Sequence, residues 1–240
     1  KGLEKKTNLK IAYQNELNLV PLKNFNAKQM DLFFALCARM KNKGLRKVSF
    51  TFEELRELSD YKITAIEPFT NDLEQLYKKM LNLTYRTETE TKISYFVLFT
   101  GFVIDKSEQI VEVSVNPDLE HIINGISSEF NKFELLAFTS IQSKYTKTLF
   151  RLLMQFQSTG FYVVKIEDFR ALLDIPKSYQ MTDITQRILK PSLIELSQYF
   201  NDLKVNKIKA RKGNKIDRLE FTFSGLKTDL PKVPLHDWTK

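Results

Sequence analysis

The chain has 240 residues, of which 42% are hydrophobic and 28% are charged, and its formal net charge is +8 with a pI near 9.3. This composition is typical of one large or two small globular domains. The positive charge favours polyanionic partners, nucleic acid ahead of an anionic membrane surface. The single cysteine excludes an internal disulfide, and no run of about 18 apolar residues exists, so we expect a cytoplasmic protein that does not enter a membrane.

The first half of the chain has the pattern of a helical domain that ends in β structure. Residues 26–42 form a helix with apolar positions at 30, 33, 34, 37 and 40, which predicts that Cys37 is a buried structural thiol. A β-like segment at 47–50 leads into a short helix over 51–61, where Thr51 and Glu54 make a capping-box pattern. A longer helix over 64–83 has a core stripe at Phe69, Leu73, Leu76, Met80 and Leu83, and strand-like segments follow at 93–104 and 110–115.

The second half repeats this order of elements. Residues 133–157 predict one long helix that ends near Gly160, and a strand, a short helix and a longer helix over 182–200 follow. Residues 53–61 match residues 167–175 at a constant offset, which indicates an internal repeat. Helix, strand, helix, helix and hairpin is the order of a winged helix, so we predict an α+β fold of two tandem winged-helix domains. The domains would be residues 1–125 and 126–227, divided near 124–130, with a flexible tail at 228–240.

Enzyme functions have little support in the sequence. No phosphate-binding loop of the G-x-x-x-x-G-K-[ST] type occurs. His121 and His236 lie far apart and lack partners at metal-ligand spacing, which argues against the metal centre of a DNA-nicking enzyme. Most of the nine tyrosines lie on apolar stripes, so a tyrosine nucleophile is not expected. We therefore expect no catalytic residues, no metal and no cofactor.

The helix over 182–200, the reader helix, is the best candidate for contact with bases. Its apolar residues cluster on one side at 100° per residue. The opposite side carries Gln186, Arg187 and Lys190, which are residues able to pair with base edges, and also an exposed Ile194. The start of the helix and the turn before it add candidates for DNA contact at Lys177, Ser178, Tyr179, Thr182 and Asp183. Pro191 removes a backbone hydrogen bond inside this helix.

Residues 204–223, the basic hairpin, contain seven Lys or Arg. A two-residue turn at Gly213-Asn214 would set Ile208 opposite Leu219 and Lys209 opposite Arg218, and such like-charge pairs destabilise a ladder unless an anion lies against them. The alternative is that lysines on an edge strand deter aggregation. The residues predicted to contact phosphates are Lys207, Lys209, Arg211, Lys212, Lys215 and Arg218.

Two further surfaces are weaker candidates. The helix of the first half that corresponds to the reader helix exposes Glu67, Asn71, Glu74 and Lys78, so we expect it to make backbone contacts or a protein interface. A stripe at Lys144, Lys147 and Arg151 is expected to face solvent, with contact to the DNA backbone as the alternative.

Residues 10–227 resemble the initiator proteins of iteron-bearing, theta-replicating plasmids, chiefly in "FELLAFTSIQSKYTKTLFRLLMQF", "FRALLDIPKSYQMTDITQRILKPSLIEL" and "KIKARKGNKIDRLEFTF". The resemblance implies binding of double-stranded origin repeats, with most base contacts from the second domain. It also implies a homodimer, formed largely through the first domain, that represses the protein's own gene, and recruitment of host replication proteins such as an initiator or a helicase.

Two alternatives remain at the level of sequence. A winged-helix transcriptional regulator without a role in replication would need the same reader helix and hairpin. A protein-interaction or anionic-membrane module could instead use the basic hairpin.

Overall fold

The computed structural model describes residue 22 and residues 24–40, 47–119, 132–211 and 213–227. The described residues fall into two compact units, one within residues 1–151 together with Leu172–Asp174, the other within 152–171 and 175–240. The predicted boundary at 124–130 and the predicted tail at 228–240 lie outside the described residues, as do His121 and His236. Within the described ranges, no helix is long and apolar enough to cross a membrane.

The first unit begins with the helices and strand that periodicity predicted. Helix α1 is Ala27–Met40, strand β1 is Val48–Thr51, helix α2 is Phe52–Leu58 and helix α3 is Ile66–Met80. Asn26 precedes α1, and its Oδ1 accepts a hydrogen bond from the Gln29 N–H at 2.9 Å. The capping box before α2 is confirmed, because the Glu54 N–H donates to Thr51 Oγ1 at 3.1 Å and the Thr51 N–H donates to Glu54 Oε2 at 2.9 Å.

Four strands follow α3 in this unit, and they differ in two respects from the prediction, the first being a strand at Thr84–Glu88 that was not predicted. They are β2 (Thr84–Glu88), β3 (Ile93–Val97), β4 (Phe99–Asp105) and β5 (Ile110–Val115). The apolar run at 93–104 is therefore two strands, separated at the buried Leu98, whose N–H donates to the Leu83 carbonyl at 3.0 Å. Strands β4 and β5 join β1 in an antiparallel sheet of order β1-β5-β4, whereas β2 and β3 form a separate two-stranded ribbon.

The core of the first unit is rich in aromatic rings. Phe33 packs edge-on against Phe34 and Phe99, with ring centroids 5.1 and 6.1 Å apart. The predicted stripe of α3 is confirmed, since Phe69, Leu73, Leu76, Met80 and Leu83 are all buried. Cys37 is fully buried, as predicted.

The single long helix predicted over 133–157 is wrong. The structure has two helices, α4 (Lys132–Ser140) and α5 (Lys144–Gln155). Side chains satisfy the backbone at the break: Ser140 Oγ donates to the Ala137 carbonyl at 2.8 Å and Gln142 Nε2 donates to the Ser140 carbonyl at 3.0 Å. Apolar periodicity carries no information on such local caps, which compete with helix continuation.

The predicted solvent-facing stripe on α5 is also wrong. The Lys147 side chain is fully buried, and its Nζ lies 2.6 Å from Asp31 Oδ1 of α1 and donates to the Phe138 carbonyl at 2.6 Å. Lys144 pairs with Asp174 at 3.2 Å, and the Arg151 guanidinium lies 4.5 Å from the ring centroid of Phe34. These cations are held by the fold and do not form a free basic surface.

The second unit follows the predicted order. After α5 come β6 (Phe161–Lys165), α6 (Ile166–Leu172), the helix α7, then β7 (Lys204–Lys209) and β8 (Ile216–Thr222). Helix α7 consists of three consecutive segments, Met181–Asp183, a π-helical Ile184–Leu189 and Lys190–Leu196. The sheet has the order β6-β8-β7, the arrangement that β1-β5-β4 has in the first unit.

The internal repeat extends to backbone conformation. Asp60 and Asp174, at equivalent positions after α2 and α6, each have a φ of 53°. The residues that follow them donate to equivalent carbonyls, Tyr61 to Arg56 at 2.8 Å and Ile175 to Arg170 at 2.9 Å. A shared left-handed turn at both sites supports a true repeat over a chance likeness of amphipathic helices.

Candidate nucleic-acid interface

Helix α7 accommodates a proline through a stretch of wider turns. Pro191 has no backbone N–H and lies just after the π-helical segment Ile184–Leu189. The Lys190 N–H reaches back five residues to the Thr185 carbonyl. A π-bulge of this kind absorbs the missing hydrogen bond and often occurs at functional sites. The hydrogen bond that Pro191 cannot make thus coincides with a local change from α-helix to π-helix.

The two faces of the reader helix are confirmed. Ile184, Ile188, Leu189 and Leu196 are buried against the second unit, and Ser192, which the sequence analysis assigned to no face, is buried as well. Gln186, Arg187, Lys190, Ile194 and Thr182 are exposed, and Asp183 is half-buried. The helix ends at Leu196, four residues earlier than predicted.

Arg187 is the best-positioned of the candidate base-reading residues. Its guanidinium lies 5.2 Å from the ring centroid of Tyr179, and its Nη1 donates to the Tyr179 hydroxyl at 3.5 Å. Its Nε lies 3.6 Å from Asp183 Oδ1, one helical turn earlier. Tyr179 and, to a lesser extent, Asp183 raise the pKa of the Arg187 guanidinium above its ordinary value. An arginine held by a ring and a carboxylate loses less side-chain freedom when it binds a flat base edge.

The turn before the reader helix is braced from α6. Lys177 and Ser178 are exposed and Tyr179 is half-buried. The Tyr179 carbonyl accepts a hydrogen bond of 2.7 Å from Arg170 Nη2, and its N–H donates to the Pro176 carbonyl at 3.0 Å. The turn therefore presents Lys177 and Ser178 to solvent at the start of α7, where helix-turn-helix proteins meet phosphates.

Lys207 connects the basic hairpin to the reader helix. Its Nζ donates to Thr185 Oγ1 at 2.7 Å, and that hydroxyl donates to the Met181 carbonyl at 2.7 Å. The Lys207 ammonium thus lies beside the first turns of α7. It adds positive charge beside the reader helix and links the hairpin to it.

The predicted register of the basic hairpin is wrong by one residue. Lys207 lies opposite Leu219 and Ile208 lies opposite Arg218, and after an irregularity between Ile208 and Lys209, Lys209 lies opposite Ile216. The connection is also longer than two residues, because the Ala210 N–H donates to the Lys215 carbonyl at 2.9 Å. Gly213, with a φ of 90°, lies within this loop. A bulge shifts every later pair and cannot be read from alternation alone.

A like-charge pair does occur in this sheet, but with another partner. Arg218 lies opposite Lys165 of β6, and its Nε is 3.2 Å from Asp217 Oδ2. Lys209 Nζ donates to the neutral Asn214 Oδ1 at 3.2 Å. Lys209, Arg211, Lys215 and Arg218 are all exposed, whereas Lys212 lies outside the described residues. The hairpin loop thus remains strongly basic although the predicted Lys209–Arg218 repulsion is absent.

Three residues of this surface were missed by the sequence analysis. Arg170 holds the turn, Thr185 accepts from Lys207, and Gln180 precedes α7 and donates its N–H to Asp183 Oδ2 at 2.9 Å. The order Gln-x-x-Asp differs from the Ser/Thr-x-x-Glu/Gln pattern that marks a capping box in a sequence, so this helix start carried no such signal. Asp183 therefore supports the helix and Arg187, in addition to its predicted place in the interface.

The equivalent surface of the first unit is different in charge. On α3, Glu67 lies 3.3 Å from Lys106 and Glu74 lies 2.7 Å from Lys78. These exposed pairs leave little net positive charge on the helix. Among the described residues, no group of three His, Cys, Asp or Glu could hold a metal ion.

Two family models match the chain. The model for "Initiator Replication protein, WH1" matches residues 10–154 and the model for "Initiator Rep protein, WH2" matches residues 165–223. A "Probable replication protein rep" of Bifidobacterium longum (strain NCC 2705) is 32% identical over 217 residues, which cover 89% of this chain and 72% of that protein.

Solved structures show the same fold. The crystal structure of the Pi initiator protein in complex with iteron DNA has a TM-score of 0.65 at 15% identity, over 90% of this chain and 96% of that one. Domains 2 and 3 of RctB have a TM-score of 0.50 at 12% identity, over 82% of each chain. Together with the two family models, these similarities confirm the predicted tandem winged-helix fold.

Proposed function

Because the chain belongs to the plasmid replication initiator family, with both of its winged-helix domains matched, we propose that it binds the directly repeated sequences (iterons) of a plasmid origin as double-stranded DNA. The observation that carries this proposal is the exposed face of α7, where Tyr179 and Asp183 hold Arg187, in the same unit as the basic hairpin, whose Lys207 contacts Thr185 of α7. Candidate base-reading and phosphate-contacting groups thus occur in one unit, on two elements that contact each other. The Pi initiator protein, which has the same fold, was crystallised with iteron DNA.

Binding assays with repeat and random duplexes test the proposal. The protein should bind the repeat more tightly than a random duplex of the same length at a fixed salt concentration, because base contacts add to the phosphate contacts common to both. Equal affinity for the two duplexes would refute sequence-specific binding.

Within this function, Gln186, Arg187 and Lys190 are proposed to reach base edges. Arg187→Ala should weaken the binding free energy by about 1–3 kcal/mol for the repeat duplex and by much less for random DNA, since a bidentate contact discriminates between bases. Arg187→Lys is the matched control, because it keeps the charge and loses the fork geometry. If Arg187→Ala weakens binding to both duplexes by the same factor, Arg187 contacts phosphate.

We also infer that the protein forms a homodimer through the first unit and represses its own gene in that form. The ribbon of β2 and β3 supports this inference, because Ile93, Tyr95 and Val97 share one face of β3 and are 55%, 68% and 43% exposed. Apolar faces of this kind are typical of interaction sites. Tyr95→Lys should shift the protein to monomer in light scattering, whereas Phe161→Lys, at an exposed apolar residue of the second unit, should not.

A replication assay distinguishes an initiator from a protein that only represses transcription. We propose that the protein recruits host replication proteins in the cytoplasm and acts by binding alone, without catalysis by this chain. A plasmid that carries the repeats should then replicate only when the protein is supplied. Cleavage of supercoiled repeat DNA by the purified protein with Mg²⁺ would contradict the non-enzymatic part of the proposal.

A further inference from the structure

Ile194 is an apolar residue on an otherwise polar part of the reader helix. Its residue surface is 76% exposed, the largest value among the large hydrophobic residues in the described part of the chain. Gln186 and Lys190, at preceding positions four residues apart, are also exposed. Residues at this spacing lie on the same helix face. Ile194 therefore extends the stripe proposed to read bases.

Exposure of one isoleucine is common on protein surfaces and does not identify a site. Ile194 differs from other exposed apolar residues because it lies on the proposed DNA-contacting face. Its side chain has no polar atoms, so it cannot pair with phosphates or with the donors and acceptors of bases. The C5-methyl group of thymine is the apolar group that B-DNA presents in its major groove. We propose that Ile194 packs against the methyl group of a thymine in the repeat and so contributes to sequence specificity. This inference rests on the proposed DNA-binding function.

The geometry of the helix sets where that thymine lies. Eight residues separate Gln186 from Ile194, which is at most about 12 Å along the helix axis. At 3.4 Å per base pair, the thymine therefore lies within about four base pairs of the base contacted by Gln186. Ile194 is also well suited to a fixed contact, since a β-branched residue in a helix has one strongly preferred χ1 rotamer. The backbone around it is braced, because the Ile194 carbonyl accepts a hydrogen bond of 2.7 Å from Ser197 Oγ.

The test replaces each thymine of the repeat in turn with deoxyuridine, which lacks only the methyl group. The probe is a fluorescent duplex carrying the repeat, bound by the full chain and compared with a random duplex. At one position, deoxyuridine should weaken wild-type binding about three- to five-fold, the effect of one buried methyl group. Ile194→Ala should weaken binding to the thymine duplex by at least as much and abolish the penalty for deoxyuridine at that position, since the two changes remove the same contact.

Phe161→Ala is the matched control, because Phe161 is a 48% exposed apolar residue of the same unit on β6. It should leave the deoxyuridine penalty unchanged. The inference is overturned if the wild type prefers the repeat but no deoxyuridine penalty depends on Ile194; sequence-specific binding then stands without it. Equal binding of repeat and random duplex overturns the proposed function and this inference together. If Ile194→Ala instead changes only self-association, measured by light scattering, the residue contacts protein and the inference fails.

Discussion

Replacing Lys209, Arg211 and Lys215 with alanine removes three exposed cations from the loop end of the basic hairpin. These three are chosen because, among the described residues, none of them pairs with a carboxylate, whereas Arg218 lies 3.2 Å from Asp217. If each contacts one phosphate, the slope of log K against log salt should become less steep by about 0.9 per residue, or about 2.7 in total. Between 50 and 200 mM salt, the wild type should then lose about 40-fold more affinity than the variant.

Fluorescence anisotropy over this salt range, with repeat and random duplexes, measures the slope. Both duplexes should be affected alike, because phosphate contacts carry no direct sequence information. The thermal midpoint should not rise, since Lys209 lies opposite Ile216 and no like-charge pair is relieved. The matched control replaces Lys165, Lys204 and Lys227, three exposed lysines of the same unit outside the loop. An unchanged slope, or equal flattening by the control, would refute the placement of the loop against DNA.

Three further predictions concern the stability of the fold. At pH 8, where Asp31 is ionised, Lys147→Met should destabilise the protein by about 3–5 kcal/mol in urea unfolding, because the carboxylate is left buried without its cation. Much of that loss should return when Asp31→Leu is added. Burial raises the pKa of Asp31 from 3.8 to about 7. The contribution of this group to the free energy of unfolding is therefore present below pH 4 and is lost as the pH rises through 7. Asp31→Asn should remove this pH dependence, and a pH–stability profile that the substitution leaves unchanged would contradict the prediction. Gly160→Ala should lower the free energy of unfolding by about 1–3 kcal/mol or more, because Gly160 has a φ of 65° and a Cβ there would lie 2.2 Å from the Phe223 carbonyl oxygen. Gly101→Ala is the control and should lower it less, since the nearest atom to its Cβ would be 3.9 Å away.

Periodicity predicted the order of elements and the core well, because burial of one helix face is a local property of the sequence. The stripe on α3 and the apolar side of α7 are examples. Lys147 could not be predicted in the same way. Its spacing from Lys144 and Arg151 is that of a helix surface, but its partner Asp31 lies 116 residues earlier in the chain. A long-range ion pair leaves no pattern in the segment that contains the lysine.

The candidate interface was predictable in composition and less so in geometry. The exposed residues of α7 were found because the apolar stripe defines the opposite face. The register of the basic hairpin was not, because the connection is longer than two residues and an irregularity lies between Ile208 and Lys209, which together place Lys209 opposite Ile216. The bond between Lys207 and Thr185 follows from that register, since it places Lys207 on the same side of the sheet as the buried Leu219.

The two units use one scaffold for different surfaces, and the difference lies outside the core. Helices α3 and α7 follow equivalent short helices and pack equivalent apolar stripes, so their burial alone does not say which of them reads DNA. On α3, Glu67 and Glu74 occupy the solvent face, and a carboxylate near a phosphate is unfavourable even when a lysine is paired with it. The first unit also has the β2–β3 ribbon, which the second unit lacks among its described residues. We therefore propose that changes in solvent-facing residues and one added ribbon divide self-association from base reading, and we assign these roles from exposed side chains and not from the repeat itself.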